Sequence, residues 1–146
     1  MPITSAQTSP PTLIETLKLL GASKRDQSLP ETKALPLLIK KNEIVEGIIY
    51  GKYTLTEFSG SFRDRGALVF TDRRVLLIDR KPLFFECKEF SYDSVSGITY
   101  SKAASSWNVI VQTKSGEISI HSSNQKLVHS FVEAFENRLI IRPKEV

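Results

Sequence analysis

Six cationic side chains, Lys52, Arg63, Arg65, Arg80, Lys81 and Lys114, fall near the ends of β-like runs, against only Glu57, Asp64 and Asp79. Arginines grouped this way can grip a phosphate or carboxylate through their planar forks. The bland alternative is a set of solvated charges, common on exposed hairpins. Asp79 with Glu86-Cys87-Lys88 has the residue types of a metal-dependent nuclease, in which two carboxylates hold a divalent ion and a lysine steers water. Asp79, however, begins a tight hairpin, and no flanking helices build the α/β core such nucleases use. Cys87 is the only thiol, and His121 and His129 are the only histidines. A Cys–His nucleophile would need Cys87, in mid-strand, to meet one of them. Flanked by Phe85 and Phe90, it reads instead as a small buried hydrophobe. Two histidines without a cysteine-rich partner set make a poor zinc site. No glycine-rich phosphate loop follows a strand into a helix. The sequence therefore points to no catalytic residue, no metal site and no cofactor.

Trp107, Phe84, Phe85, Tyr92 and Tyr100 are spread through the β-like runs. Nucleic-acid-binding sheets also use aromatics, but beside basic residues on the sheet face. Here the cations cluster at connections, and strand aromatics are mostly core. Nucleic acid ranks below lipid or protein as a partner.

The elements that must position these residues follow from pattern. At 146 residues the chain fits one domain with a short extension. The formal charge of +4 permits attraction to anionic surfaces without demanding it. Apolar runs such as Val75-Leu76-Leu77-Ile78 are far too short to cross a bilayer. A single cysteine excludes an internal disulfide. The N-terminus lacks a basic region followed by an apolar stretch, so no secretory signal is expected, and a reducing cytoplasmic setting is the default.

Residues 1–11 are polar and proline-punctuated, and read as a disordered tail. Thr12 to Leu20 reads as a helix: Thr12 and Glu15 form a capping box, Gly21 stops it, and Leu13, Ile14, Leu17 and Leu20 make one stripe. Such a stripe with Lys18 as its one cation is weak for anionic lipid and is expected to pack on its own domain. Gly21 to Thr32 reads as a polar linker, and Pro36 to Lys41 as a short helix with Pro36 at its first position. From Asn42 the period changes to two. Seven runs follow: Ile44–Tyr53, Gly66–Thr71, Arg74–Asp79, Leu83–Ser91, Val95–Lys102, Trp107–Lys114 and Glu117–Ser122. Connections as short as Asp72-Arg73, Arg80-Lys81-Pro82 and Ser115-Gly116 force antiparallel hairpins. The loops after runs one (54–65), three (80–82) and six (115–116) then open at one end, which gathers the six cations into a rim. Asn124 to Leu139 is amphipathic, with Leu127, Val128, Phe131, Val132, Phe135 and Leu139 on one face to plug the sheet.

The run Gly66-Ala67-Leu68-Val69-Phe70-Thr71-Asp72-Arg73-Arg74-Val75-Leu76 resembles the G-x-L-x-x-T-x-x-R-L hairpin of bacterial pleckstrin-homology (PH)-like domains, especially the YokE-like branch. Asn42-Glu43-Ile44-Val45 and Tyr92-Asp93-Ser94-Val95-Ser96-Gly97-Ile98 are similar too. The resemblance covers roughly 36–139 and implies a mainly β fold, a seven-stranded antiparallel barrel or sandwich capped by one C-terminal helix, to which the residue patterns add one or two short N-terminal helices. Residues 12–35 would be helix and linker, and 140–146 a tail. It also implies a non-catalytic binding role. In PH domains that bind phosphoinositides, a lysine late in strand one and an Arg-x-Arg at the start of strand two hold the headgroup; Lys52 and Arg63-Asp64-Arg65 look similar. The expected partner is a protein or an anionic lipid headgroup, with the chain peripheral to the membrane in the second case. The alternative is a structural protein whose copies assemble edge to edge into a homo-oligomer.

Overall fold

A continuous apolar run in a strand must be covered on both faces, whereas an alternating run needs cover on one. Ala67-Leu68-Val69-Phe70 and Val75-Leu76-Leu77-Ile78 are two such runs, and every one of these residues is buried. The computed structural model, which describes residues 12–58 and 60–141, shows what covers them. The tail expected at 1–11 lies outside the described residues, as does most of the one expected at 140–146.

The strands are β1 (Val45–Glu57), β2 (Gly60–Thr71), β3 (Val75–Arg80), β4 (Phe85–Phe90), β5 (Val95–Ala103), β6 (Ser106–Thr113) and β7 (Gly116–Ser122). They form one antiparallel sheet in the order β4-β3-β2-β1-β7-β6-β5, so β4 and β5 are its edges. β1 and β2 pair along their whole length, from Val45↔Thr71 to Glu57↔Gly60. β7 pairs only with the second half of β1, from Lys52↔His121 to Glu57↔Gly116. The sheet therefore splits at Gly51. A Cβ there would sit 1.8 Å from the His121 carbonyl oxygen, so only glycine allows this approach.

The inner face is closed by the long C-terminal helix. Val128, Phe131, Val132 and Phe135 pack on Ile49, Leu68, Phe70, Leu77, Val109 and Ile118, and Phe70 meets both phenylalanine rings edge-on at 5.0 and 4.9 Å. This helix spans Gln125–Ile141, two residues beyond the expected end. Leu139 is only partly buried, and Leu127 turns toward a second cluster.

That second cluster lies on the outer face of β1–β3, where Ile48, Tyr50, Ala67, Val69, Leu76 and Ile78 meet Leu17, Ala22 and Leu35 from the N-terminal segment. The segment is three helices: α1 (Leu13–Leu20), α2 (Lys24–Gln27) and α3 (Pro30–Leu38), the C-terminal helix being α4. α1 matches its expectation, with the Thr12–Glu15 capping box and Gly21 at φ 114°. Leu17 is wholly buried and Leu13 and Leu20 pack beside it on the protein's own sheet, while Ile14 of the expected stripe is exposed. The linker expected over 21–32 is not one. Ser23 and Asp26 form a second capping box that starts α2. Pro30 rather than Pro36 opens α3, leaving Pro36 inside it. Pro36 offers no N–H to the Thr32 carbonyl, and the helix ends two residues later, short of the expected Lys41.

The strands also correct the loop expected over 54–65. β1 and β2 continue through it as a hairpin arm, with Leu55 opposite Phe62 and a turn near Phe58. Alternation across Thr54-Leu55-Thr56 carries the pairing on, because Leu55 is buried while its neighbours are not. Arg63 and Arg65 consequently lie on a strand, where side-chain direction is set.

Candidate basic binding face

Along β1 and β2 the outer face changes character at the split. Ile48, Tyr50 and Ala67 lie under the helices; beyond them Lys52 and Arg65 stand directly opposite each other, followed by Thr54 opposite Arg63. His121 of β7 is paired with Lys52 on the other side. Cross-strand partners share a face, so Lys52, Arg63, Arg65 and His121 line one surface. A groove of about 590 Å³ runs along them. Lys52, Arg63 and Arg65 make no side-chain hydrogen bond or ion pair among the described residues.

At the inner end of this face, where the helices begin, a cavity of about 360 Å³ is lined by Lys52, Arg65, Arg80, His121, Arg25 and Asn124. Arg80 is already committed there. Its guanidinium donates from Nε and Nη2 to Glu31 Oε1 at 3.1 and 2.6 Å. Glu31 is 1 % exposed and its other oxygen has no partner among the described residues, so Arg80 is what keeps that buried carboxylate tolerable. Tyr50 closes the cavity floor, its hydroxyl paired with that of Thr32 at 2.6 Å and its phenol pushed up by burial.

The remaining expected cations go elsewhere. Lys81 lies 2.8 Å from Asp79, 3.5 Å from Asp64 and 3.8 Å from Glu86, a set that raises its pKa. Lys114 sits in the β6–β7 turn beside the tip of the β1–β2 arm, and Gly116 of that turn is five register steps, or about 17 Å at 3.3 Å per residue, from His121 at the inner end of the face. Of the six expected rim residues, Lys52, Arg63 and Arg65 thus share a face, Arg80 joins its inner end, and Lys81 and Lys114 stand apart. Sequence reading missed Arg25, because it was assigned to a linker, and His121, because no motif marks it.

The hairpin that carries the family resemblance is built differently. Thr71 Oγ1 donates to Glu43 Oε2 at 2.6 Å and accepts from the Arg73 and Arg74 amides. Arg74 donates to both Glu43 oxygens at 2.8 Å, to the Leu38 carbonyl at 2.8 Å and to Glu89 at 3.0 Å. The Asp72 carboxylate accepts the Ile44 amide at 2.9 Å, and Arg73 reaches the Lys41 carbonyl. The Arg74 guanidinium, ahead of the other hydrogen bonds, holds the Glu43 carboxyl down to about 2. These arginines hold the start of β1 against the β2–β3 turn.

Asp79 and Glu86 are cross-strand partners on β3 and β4, but Lys81 lies between them and Lys88 is bound to Glu57 at 2.7 Å. Among the described residues no group of three or more His, Cys, Asp or Glu is placed to hold a metal. Cys87 is exposed rather than buried, because β4 is an edge strand whose middle faces solvent. His129 packs edge-on against Trp107, on the opposite wall from β4. Tyr92 is core but opens a short 3-10 turn (Tyr92–Ser94) between β4 and β5 rather than lying on a strand, whereas Phe84 and Tyr100 are exposed. Phe58 at the tip of the β1–β2 hairpin, Phe62 close to it, and Leu83 and Phe84 at the β3–β4 tip are apolar side chains open to solvent. No described helix is long and apolar enough to cross a membrane.

Compared with known proteins, residues 39–137 match the family described as Bacterial PH domain. The match does not single out the YokE-like branch. Among solved structures, the chain is similar to the pleckstrin homology domain of USP37, with 13% identity, a TM-score of 0.53, and coverage of 65% of this chain and 98% of that one. It is also similar to Vav1, solved with an allosteric inhibitor, with 14% identity and a TM-score of 0.53 over 84% of this chain and 36% of that one. At these identities the likeness is one of fold. No curated protein matches the sequence.

Proposed function

This chain belongs to the bacterial PH domain family, whose fold commonly serves as a binding module, and from that premise we propose that it is a non-catalytic module that docks on an anionic membrane surface through its basic face. One observation carries the reading: Lys52, Arg63 and Arg65 share a strand face and have no internal partner among the described residues. Cations left without carboxylates on a rigid hairpin are preorganised for an external anion. Phe58 and Leu83, 98 and 96 % exposed at the tips of the β1–β2 and β3–β4 hairpins, supply apolar points suited to the headgroup boundary. Each cation near an anionic surface contributes about 1 kcal/mol, so the three act usefully only together. The test is sedimentation with phosphatidylglycerol vesicles over a salt series. Binding should weaken steeply with salt, screened over about 8 Å at physiological ionic strength. Lys52→Ser, Arg63→Ser and Arg65→Ser combined should abolish it. A folded triple variant that sediments like the parent, or a parent that never binds at low salt, sinks the membrane reading.

A protein partner is the second reading. Tyr100–Ala103, the second half of the edge strand β5, is exposed, and only Lys102 guards it with charge. An unguarded edge can accept an added strand from another protein, or from a second copy of this chain. Light scattering over a concentration series tells these apart, since self-assembly alone changes size with concentration.

A further inference from the structure

The basic face does not stop at the family's boundary. Arg25, on α2 and outside the matched residues 39–137, closes the cavity of about 360 Å³ above Lys52 and Arg65. We propose that this cavity is a subsite for a phosphate monoester, and that the N-terminal helical segment supplies part of it through Arg25. The inference rests on the basic-face reading for Lys52 and Arg65 and adds a residue that reading does not need.

Charge is the first support. Two carboxylates stand in the cavity wall, and each is engaged internally through one oxygen. Asp26 accepts the Asn124 amide at 2.9 Å and the Ser23 backbone N–H at 3.0 Å, while Glu31 is held by Arg80. Arg25, Lys52 and Arg65 have no side-chain partner among the described residues, so the cavity keeps an excess of positive charge. Shape is the second. The volume lies at the low end for small-molecule sites, which run from about 300 to 1,000 Å³. That is room for a phosphate and a few attached carbons. Three cations from three elements converge on it, which suits the three acceptor oxygens of a phosphate monoester better than a planar carboxylate.

The third support is that the backbone carrying Arg25 is held in place without a ligand. Asn124, which caps α4 by accepting the Leu127 amide, also donates to the Gly21 carbonyl at 3.1 Å and to Asp26. These bonds pin the α1–α2 corner to the start of α4 on either side of Arg25. Removing the guanidinium therefore leaves the segment docked.

The test is calorimetric titration of the whole chain at low salt with inorganic phosphate and with inositol 1,4,5-trisphosphate, beside vesicles carrying the same inositol headgroup. Arg25→Ser should weaken the soluble inositol probe about tenfold, the loss of one charge-assisted hydrogen bond. Arg63→Ser, farther along the face, should change it by no more than about twofold. Loss toward both soluble probe and vesicles identifies a lipid headgroup as the source; loss toward the soluble probe alone identifies a free phosphorylated metabolite. If Arg25→Ser binds like the parent, or the parent binds neither soluble probe, the subsite is overturned even where vesicles still bind through the outer face. If the soluble probe binds through Arg25 while vesicles do not bind, the subsite stands and the membrane reading falls.

Discussion

Two arginine-bearing hairpins in this protein have opposite fates. At the β2–β3 turn, Arg74 is 11 % exposed and its fork is filled by Glu43, Glu89 and the Leu38 carbonyl. On the β1–β2 arm, Arg63 and Arg65 are exposed and their side chains bind nothing among the described residues. The first hairpin carries the family resemblance, yet its charges are used up in holding the fold. The second reads in the sequence as part of an anion-binding rim, with solvated loop charge as the alternative, and its side chains keep the free valence a ligand needs. A cation's usefulness for binding depends on what its neighbours already take from it.

The contrast can be broken most forcefully at Glu43. Glu43→Ala leaves Arg74 and Thr71 buried without their acceptor and should cost about 3–5 kcal/mol in urea denaturation. The folded fraction should sediment with vesicles as the parent does. A loss below about 1 kcal/mol would mean that the network is ornamental and the comparison empty.

Acid should show the same network from another side. Glu43 titrates at about 2, well below its ordinary 4.5, chiefly because Arg74 favours its charged form. A depressed carboxyl contributes stability that is complete above the unfolded pKa and fades as pH falls from about 4.5 toward 2. Over that window the contribution is about 3 kcal/mol, and Glu43→Gln should flatten that stretch of the pH–stability curve. A parent and variant with parallel curves would refute the assignment.

The free face predicts the reverse pattern. Lys52→Ser, Arg63→Ser and Arg65→Ser together should shift unfolding by only about 0.5 kcal/mol, as surface changes away from internal partners do. Vesicle or phosphate binding should nonetheless be lost. If the triple variant unfolds much more easily than the parent, those cations have structural partners and the contrast between the hairpins collapses.

Lys81 sharpens the comparison with the smallest effect. Its contacts with Asp79 and Asp64 raise its pKa and turn it away from the basic face. Lys81→Ser should leave ligand affinity where it was, and a salt-dependent loss comparable to that of Arg65→Ser would show that Lys81 belongs to the site.

Much of this architecture was legible in sequence because it rests on local physics. The Thr12–Glu15 capping box, the Gly21 stop and the face of α4 each depend on residues within a few positions of one another. Two further signals were present and went unread. Ser23 and Asp26 spell a second capping box, and the unbroken runs at 67–70 and 75–78 require cover on both faces of the sheet. That cover is the helical segment 13–38, which is why a linker was the wrong expectation for 21–32.

What the sequence determined by itself was the seven-stranded antiparallel sheet, its capping helix and the identity of the cations, since period, turn length and residue type are properties of the chain in order. Which cations are free was decided only by tertiary structure. Arg74 finds Glu43 across 31 residues, Arg80 finds Glu31 across 49, and Asn124 finds Gly21 across 103. Partners so far apart in the chain meet only once the strands and helices have come together, and burial then makes each pairing obligatory. Arg63 remains unpaired on the part of the β1–β2 arm beyond the helices, and Lys52 and Arg65 because the carboxylates in their cavity wall, Asp26 and Glu31, are engaged by Asn124 and Arg80.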